Sequence, residues 1–229
     1  MSQFRRRFRR GANFFRRVAL RVPGRCFGGN RLRSGFNTPP YVLLTMPLPV
    51  PALPRRPIHR RHIEIEGFQR DDGLLELDAS ITDVKGIDYQ LGSGLRAAGE
   101  PVHLMRVRVT LDEDFNIVDA AACSDGVPYP GQCDTIGPVY RKLVGLNLVR
   151  GFRRTVGEMF ADVRGCTHLT EMLLSLPTAA IQTAASFRRD SEDPAGRPFQ
   201  IDRCHALESS AEAVRLYYPK WYRGARSEA

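Results

Sequence analysis

Apolar and polar residues alternate one by one in three stretches of the chain, at residues 62–66, 75–82 and 105–111, and a fourth, mostly apolar stretch follows at 117–122. A period of two residues is typical of a β-strand with one buried and one exposed face. Turn sequences separate the first two stretches, at 70–73, and the last two, at 112–114. Because short turns join antiparallel neighbours, the pattern predicts an antiparallel sheet of three to four strands with one solvent-exposed face.

After about residue 135 the spacing of apolar residues changes from two to three or four. This spacing predicts helices at about 135–145, around 156–160, and from Thr167 onward, where Pro177 kinks or splits the third helix. Strands followed by helices predict an α+β fold, with the helices packed on one face of the sheet.

The first 57 residues differ from the rest in composition. They combine arginine runs with closely spaced prolines, so they bury little apolar surface, and we expect a disordered Arg/Pro-rich tail. We expect residues 58–222 to form a single α+β domain. A second interpretation of the tail stays open, in which translation starts at Met46 and residues 1–45 are a start-site artefact.

The net charge of +9 by itself suggests nucleic-acid binding, but its distribution along the chain argues against it. Of the 34 basic residues, eleven lie in the first 45, which contain no acidic residue, so the remainder carries 23 basic against 25 acidic residues. The body of the protein is therefore near neutral, and we expect no specific nucleic-acid binding by the folded domain. Its candidate partners are a small molecule or a metal ion, and the oligomeric state stays open.

The cysteines indicate a reducing compartment. The chain has five, an odd number, and carries no secretory signal pattern, so we expect unpaired or metal-bound thiols and a cytoplasmic location. The apolar run at 41–46 is far shorter than the roughly 20 residues that a membrane span needs, and we expect no transmembrane segment.

Cys166 is the strongest chemical signal, because it stands at the start of an apolar helical pattern. A thiol at a helix N-terminus faces unpaired backbone N–H groups, which favour the thiolate, the form that binds metal or attacks carbon. His103 precedes the third strand, and Cys133 precedes the first helix, so both can reach the same end of the domain. Together with His168 they form a candidate metal site for zinc or an iron–sulfur cluster, although no CxxC pair supports it.

Two other functions are compatible with the same residues. In a metal-free enzyme, Cys166 is the nucleophile or acid–base group, His103 or His168 is its partner, and Asp83 with Lys85 orients an acidic small molecule. In a non-catalytic binding module, the cysteines and histidines are packed or hydrogen-bonded core groups. Whether the protein is an enzyme stays open.

Several short motifs lie along the domain, namely His59-Arg60-Arg61, Arg70-Asp71-Asp72-Gly73, Asp83-Val84-Lys85, Pro101-Val102-His103-Leu104-Met105, Cys133 and Gly165-Cys166-Thr167-His168-Leu169-Thr170. Together they resemble a bacterial domain of unknown function, DUF2889. The resemblance covers roughly residues 58–222 and implies no established activity.

A weaker resemblance is to the NifU-like scaffold proteins of iron–sulfur assembly. It is carried by the segment 99–105, the following strand, and Ile117-Val118-Asp119-Ala120. By the order of elements, Cys133 and Cys166 match the last two cysteines of those scaffolds, which implies a NifU-like topology with a metal-capable end. The Cys-Gly-Asp triplet of the scaffolds is absent from this chain, so the resemblance does not imply cluster assembly itself.

Overall fold

A computed structural model describes residues 48–187 and 196–224. The chain divides into two units, Met1–Val50 and Pro51–Ala229, and the fold described here is that of the second unit. Most of the predicted Arg/Pro-rich tail lies outside the described residues. The predicted division at residues 57 and 222, and the start-site alternative, therefore stay predictions.

Four long strands form one antiparallel sheet, as the alternation and the turns predict. The strands are β1 (His59–Gln69), β2 (Leu75–Lys85), β3 (Tyr89–Leu91), β4 (Gly94–Arg96), β5 (Pro101–Leu111) and β6 (Ile117–Gly126). The sheet order is β1-β2-β5-β6, and the short strands β3 and β4 form a separate hairpin within the connection from β2 to β5.

The helices follow the sheet along the chain, which confirms the α+β class. They are α1 (Phe152–Met159), α2 (Thr167–Leu173), α3 (Leu176–Ala185) and α4 (Glu212–Tyr217), with 3₁₀ turns at Cys133–Thr135, Gly137–Leu143, Asp162–Arg164, His205–Leu207 and Pro219–Trp221. Pro177 lies in the first turn of α3, where its missing N–H costs nothing, and so the third predicted helix is split there into α2 and α3.

The first predicted helix, at about 135–145, is instead a pair of 3₁₀ turns. The second turn packs closely against β6: a Cβ added at Gly137 would lie 2.4 Å from the carbonyl oxygen of Ala122. Only glycine permits this approach, and the packing holds the segment in short turns.

The core lies between the inner face of the sheet and the helices α2 and α3, which contact β1, β2 and β5. Along β2, alternate residues from Leu75 to Ile81 are buried and the residues between them are partly exposed, as a period of two requires. Burying each large aliphatic side chain contributes about 1.5–3 kcal/mol, which fixes the face of the sheet that the helices cover.

The register of the strands brings polar side chains together at one end of this covered face. Arg61 of β1 and His103 of β5 are both direct cross-strand partners of Asp83 in β2, and a β-bulge follows between Asp83 and Val84. The helix α2, which begins at Thr167, packs on β2 and β5. Within residues 48–187 and 196–224, no helix has the length and apolar character needed to cross a membrane.

Candidate functional site

Asp83 is the centre of the site because it is a carboxylate on the covered face of the sheet. It follows Ile81 in the alternation of β2, and its side chain is only 4% exposed. A buried carboxylate needs charged or hydrogen-bonding partners, since losing its hydration is costly. In the described part of the chain, Asp83 and Thr110 are the buried polar residues.

Arg61 supplies the principal partner of this carboxylate. Its Nε donates to Asp83 Oδ1 and its Nη2 donates to Asp83 Oδ2, both at 2.8 Å, which is the bidentate geometry that guanidinium and carboxylate favour. The remaining nitrogen, Nη1, donates to Glu171 Oε2 of α2 at 2.5 Å. Arg61 therefore connects the edge strand, the buried carboxylate and the covering helix.

Three imidazoles surround the same carboxylate. His59 Nε2 lies 3.0 Å from Asp83 Oδ1, and His103 Nδ1 lies 3.0 Å from Oδ2. His168 Nε2, from the first turn of α2, lies 3.7 Å from Oδ2. The rings of His103 and His168 stack with their centroids 3.7 Å apart. With two bonds from Arg61 and one each from His59 and His103, the acceptor positions of the carboxylate are filled.

The surroundings control the charge of these groups. Burial by itself raises the pKa of Asp83, but the hydrogen bonds from Arg61 and His59 and the charges of Arg61 and His103 outweigh it and hold that pKa well below its usual range. Burial, followed by the neighbouring His168, lowers the pKa of His103, and burial lowers the pKa of His168. The site at neutral pH therefore combines an ionised carboxylate with two neutral imidazoles.

Asp83, His103 and His168 form a group that can hold a metal ion. One ligand atom from each residue lies within 4.8 Å of the other two. Two of these residues, His103 and His168, belong to the predicted metal site, whereas the third donor is a carboxylate rather than a thiolate.

Cys166 lies beside this group, as the residue that precedes α2. Its Sγ is 3.9 Å from His168 Nδ1 and 3.7 Å from Met105 Sδ. The buried hydroxyl of Tyr140 fixes its backbone, accepting from the Cys166 N–H at 2.8 Å and donating to the Cys166 carbonyl at 3.1 Å. A Cβ at Gly165 would lie 2.6 Å from the Cβ of Phe160, so the chain enters α2 along a path that glycine allows.

The family described as a protein of unknown function, DUF2889, matches residues 59–182, which is more than half of the chain. The chain belongs to this family. The part of the chain that matches DUF2889 includes His59, Arg61, Asp83, His103 and His168. No curated protein and no solved structure matches the chain, so the NifU-like topology stays a prediction.

The other predicted site residues lie differently. Cys133 begins the first 3₁₀ turn and is half-buried against the core, and its thiol is not among the three grouped ligand atoms. The amine of Lys85 lies over the ring of Tyr89, 5.1 Å from its centroid, while Asp83 takes Arg61 as its ion partner. The ligand and catalytic roles of Cys133, Cys166 and Lys85 stay predictions.

His59 and Arg61 entered the sequence analysis only through the family resemblance. A local signal for their role was present. The turn at 70–73 closes a hairpin, and a hairpin that pairs Gln69 with Leu75 also pairs Arg61 with Asp83. Arg61 then shares the covered face with Ile63 and Ile65, so the strand pattern places a guanidinium next to the carboxylate.

Proposed function

We propose that this domain binds a divalent transition-metal ion through Asp83, His103 and His168. The observation that carries the proposal is the grouping of one carboxylate oxygen and two imidazole nitrogens within 4.8 Å. Oxygen and imidazole donors suit zinc, iron(II), manganese and nickel, whereas an iron–sulfur cluster needs several thiolates. A three-residue site also leaves coordination positions for water or a substrate.

Binding requires a local rearrangement that the site can accommodate. Two imidazoles on one tetrahedral ion hold their ring centroids about 5 Å apart, so the stacked rings of His103 and His168 must separate. Their side chains are 15% and 25% exposed, and the rings can turn toward the solvent. His103 must also give up any Nδ1 proton before that nitrogen can bind the ion.

Arg61 and His59 support the proposed centre without binding the ion. Their bonds to Asp83 Oδ1, and the bond from Arg61 Nη2 to Oδ2, hold the carboxylate in place. The ion would take the one position on Oδ2 that His103 Nδ1 now occupies. Outer groups of this kind commonly change metal affinity about 10–100-fold. We therefore expect Arg61→Gln to weaken binding, and substitution of the three ligands to abolish it.

The test is metal uptake by chelator-treated protein. Zn²⁺ affinity is measured by calorimetry, and Co²⁺ binding is followed by its visible absorption. His103→Ala and His168→Ala should lose binding. His62→Ala is the matched control, because His62 is an exposed histidine in β1 and its register partner is Thr82. Absence of uptake by the wild type, or equal loss in His62→Ala, contradicts the proposal.

A second function, proton transfer without a metal, is favoured by one contact. His103 Nδ1 lies 3.0 Å from Asp83 Oδ2, and this bond selects the tautomer whose Nε2 accepts a proton from a substrate. In this function Asp83 orients the imidazole, and Cys166, beside His168, is the second reactive group. Rapid alkylation of Cys166 by iodoacetamide in metal-free protein, with slow alkylation of Cys133, supports this function. Equal and slow rates at the two thiols argue against a reactive Cys166.

A further inference from the structure

We infer that Cys166, Met105 and His168 form a separate binding site for a soft monovalent cation, with Cu(I) as the biological ion of that class. The juxtaposition consists of a thiol, a thioether and an imidazole nitrogen. Cys166 Sγ lies 3.7 Å from Met105 Sδ and 3.9 Å from His168 Nδ1. This donor set differs in chemistry from the oxygen and nitrogen donors around Asp83.

Two elements bring these donors together. Met105 lies two residues after His103 on β5, so the two side chains share the covered face of the sheet. Cys166 and His168 flank the start of α2, where the Tyr140 hydroxyl holds the Cys166 backbone. Met105 is fully buried, whereas Cys166 and His168 are partly exposed, so an ion can enter from the side of the thiol and the imidazole.

The two distances from Cys166 Sγ suit a small ion bound by three donors. Metal–sulfur and metal–nitrogen bonds of about 2.0–2.3 Å at trigonal angles place the donor atoms about 3.7–4.0 Å apart. Thiolate and thioether donors select Cu(I) over the harder divalent ions. On binding, the Cys166 thiol releases its proton to solvent and a metal–sulfur bond forms. The ion arrives as Cu(I), and no electron is transferred.

The soft site and the proposed divalent centre share His168 and no other residue. Nδ1 of this imidazole faces Cys166, and Nε2 faces Asp83. The inference stands without the divalent centre, because neither Cys166 nor Met105 is a ligand there. Cys166→Ser should therefore lose Cu(I) binding and keep Zn²⁺ uptake, so failure of one proposal is distinguishable from failure of the other.

Packing alone offers a competing account, because buried cysteine and methionine also touch as ordinary apolar side chains. Cys133 provides the matched control. It is also an unpaired, half-buried thiol packed against the core, but the described residues give its sulfur no contact with an imidazole or a thioether. If the cation site exists, substitution of Cys166 must therefore reduce Cu(I) binding, and substitution of Cys133 must not.

The test uses the full chain, reduced and freed of metal, and supplies Cu(I) as its coloured complex with bicinchoninate. Transfer of Cu(I) to the protein is read as loss of colour. We expect the wild type to remove one more equivalent than Cys166→Ser, and Cys133→Ser to match the wild type. Met105→Leu, which conserves volume, should weaken the transfer. Unchanged transfer in Cys166→Ser, or equal loss in Cys133→Ser, overturns the inference.

A second measurement uses the unmodified chain and so does not depend on how the variants fold. Ag⁺, a redox-inert soft ion, is added at one equivalent before iodoacetamide, and alkylation is quantified by peptide mass spectrometry. Cys166 should be protected more strongly than Cys133 and Cys204. Equal protection of the three thiols, or alkylation of Cys166 at its metal-free rate, contradicts a site at Cys166.

Discussion

Two arginine–aspartate pairs on neighbouring strands of the sheet have the same chemistry and different environments. Arg61 pairs with Asp83 between β1 and β2, and Arg108 pairs with Asp78 between β5 and β2. In each pair the two residues are direct cross-strand partners, and two guanidinium nitrogens bond the two carboxylate oxygens. Asp78 and Asp83 are five residues apart, and this odd separation places them on opposite faces of the sheet.

The difference lies in what covers each carboxylate. The side chain of Asp83 is 4% exposed and meets three imidazoles, whereas that of Asp78 is 29% exposed and has Glu76 beside its arginine partner. Water solvates the outer pair and weakens its attraction, while the helices exclude water from the inner one. Register therefore produces the pair, and the helices packed on one face turn that pair into the centre of a site.

The largest expected effect comes from removing the inner carboxylate. Asp83→Asn removes the buried partner of the Arg61 guanidinium and leaves it only the half-exposed Glu171 as an ion partner, which costs about 3 kcal/mol of folding free energy. Urea denaturation of the metal-free protein measures this change. A loss below about 1 kcal/mol would place the inner pair in the same class as an exposed one.

Lowering the pH should reveal the contribution of the same carboxylate to stability, because protonation removes its charge. Because Asp83 has a lower pKa in the folded protein than in the unfolded chain, its contribution to stability is complete above about pH 5 and is lost as the pH falls below about 4. Urea midpoints measured between pH 7 and pH 3 should fall more steeply for the wild type than for Asp83→Asn. Parallel curves for the two proteins would show that Asp83 takes no special part in the acid transition.

Tyr140→Phe tests the hydroxyl that holds the chain at the start of α2, the helix that covers the inner pair. The described residues hold no counterpart of this support on the outer face. Without the hydroxyl, the Cys166 N–H loses its acceptor, and we expect a loss of about 1–3 kcal/mol. Tyr129→Phe is the control, because that side chain is largely exposed. Equal urea midpoints for the two variants would mean that the hydroxyl contributes nothing to holding this turn.

The smallest expected effect is at the outer pair. Asp78→Asn should cost less than about 1 kcal/mol, because exposed ion pairs contribute little net free energy. The difference from wild type should shrink further between about 0.1 M and 1 M salt, where the screening length falls from about 10 Å to about 3 Å. The corresponding difference for Asp83→Asn should persist in high salt. If breaking the outer pair costs as much as breaking the inner one, and is equally insensitive to salt, then burial does not distinguish the two pairs.

The alternation of residues predicted three of the four long strands because the period of a strand is set locally, and the turn at 112–114 predicted the fourth as their return. The alternation also carried enough information to pair Arg61 with Asp83 through the hairpin at 70–73. The first predicted helix was wrong, since the close approach of Gly137 to β6 favours 3₁₀ turns over the helix that its apolar spacing suggests. Tertiary packing overrides local spacing at that position.

The candidate site was predictable in its members but not in its arrangement. His103, His168, Asp83 and Cys166 were all identified from residue type and position along the chain. Their order around a central carboxylate, and the separation of Cys133 from the grouped ligand atoms, depend on where α2 packs against the sheet.

The sequence by itself determined which side chains share a face, because side-chain direction alternates along a strand and a short turn fixes the register. It could not determine which of those side chains are desolvated. That was decided by the packing of α2, which brings His168 to a carboxylate more than 80 residues earlier in the chain and Glu171 to the arginine partner of that carboxylate. Burial is a property of all the surrounding segments together, and so the chemistry of Asp83 follows from the tertiary structure.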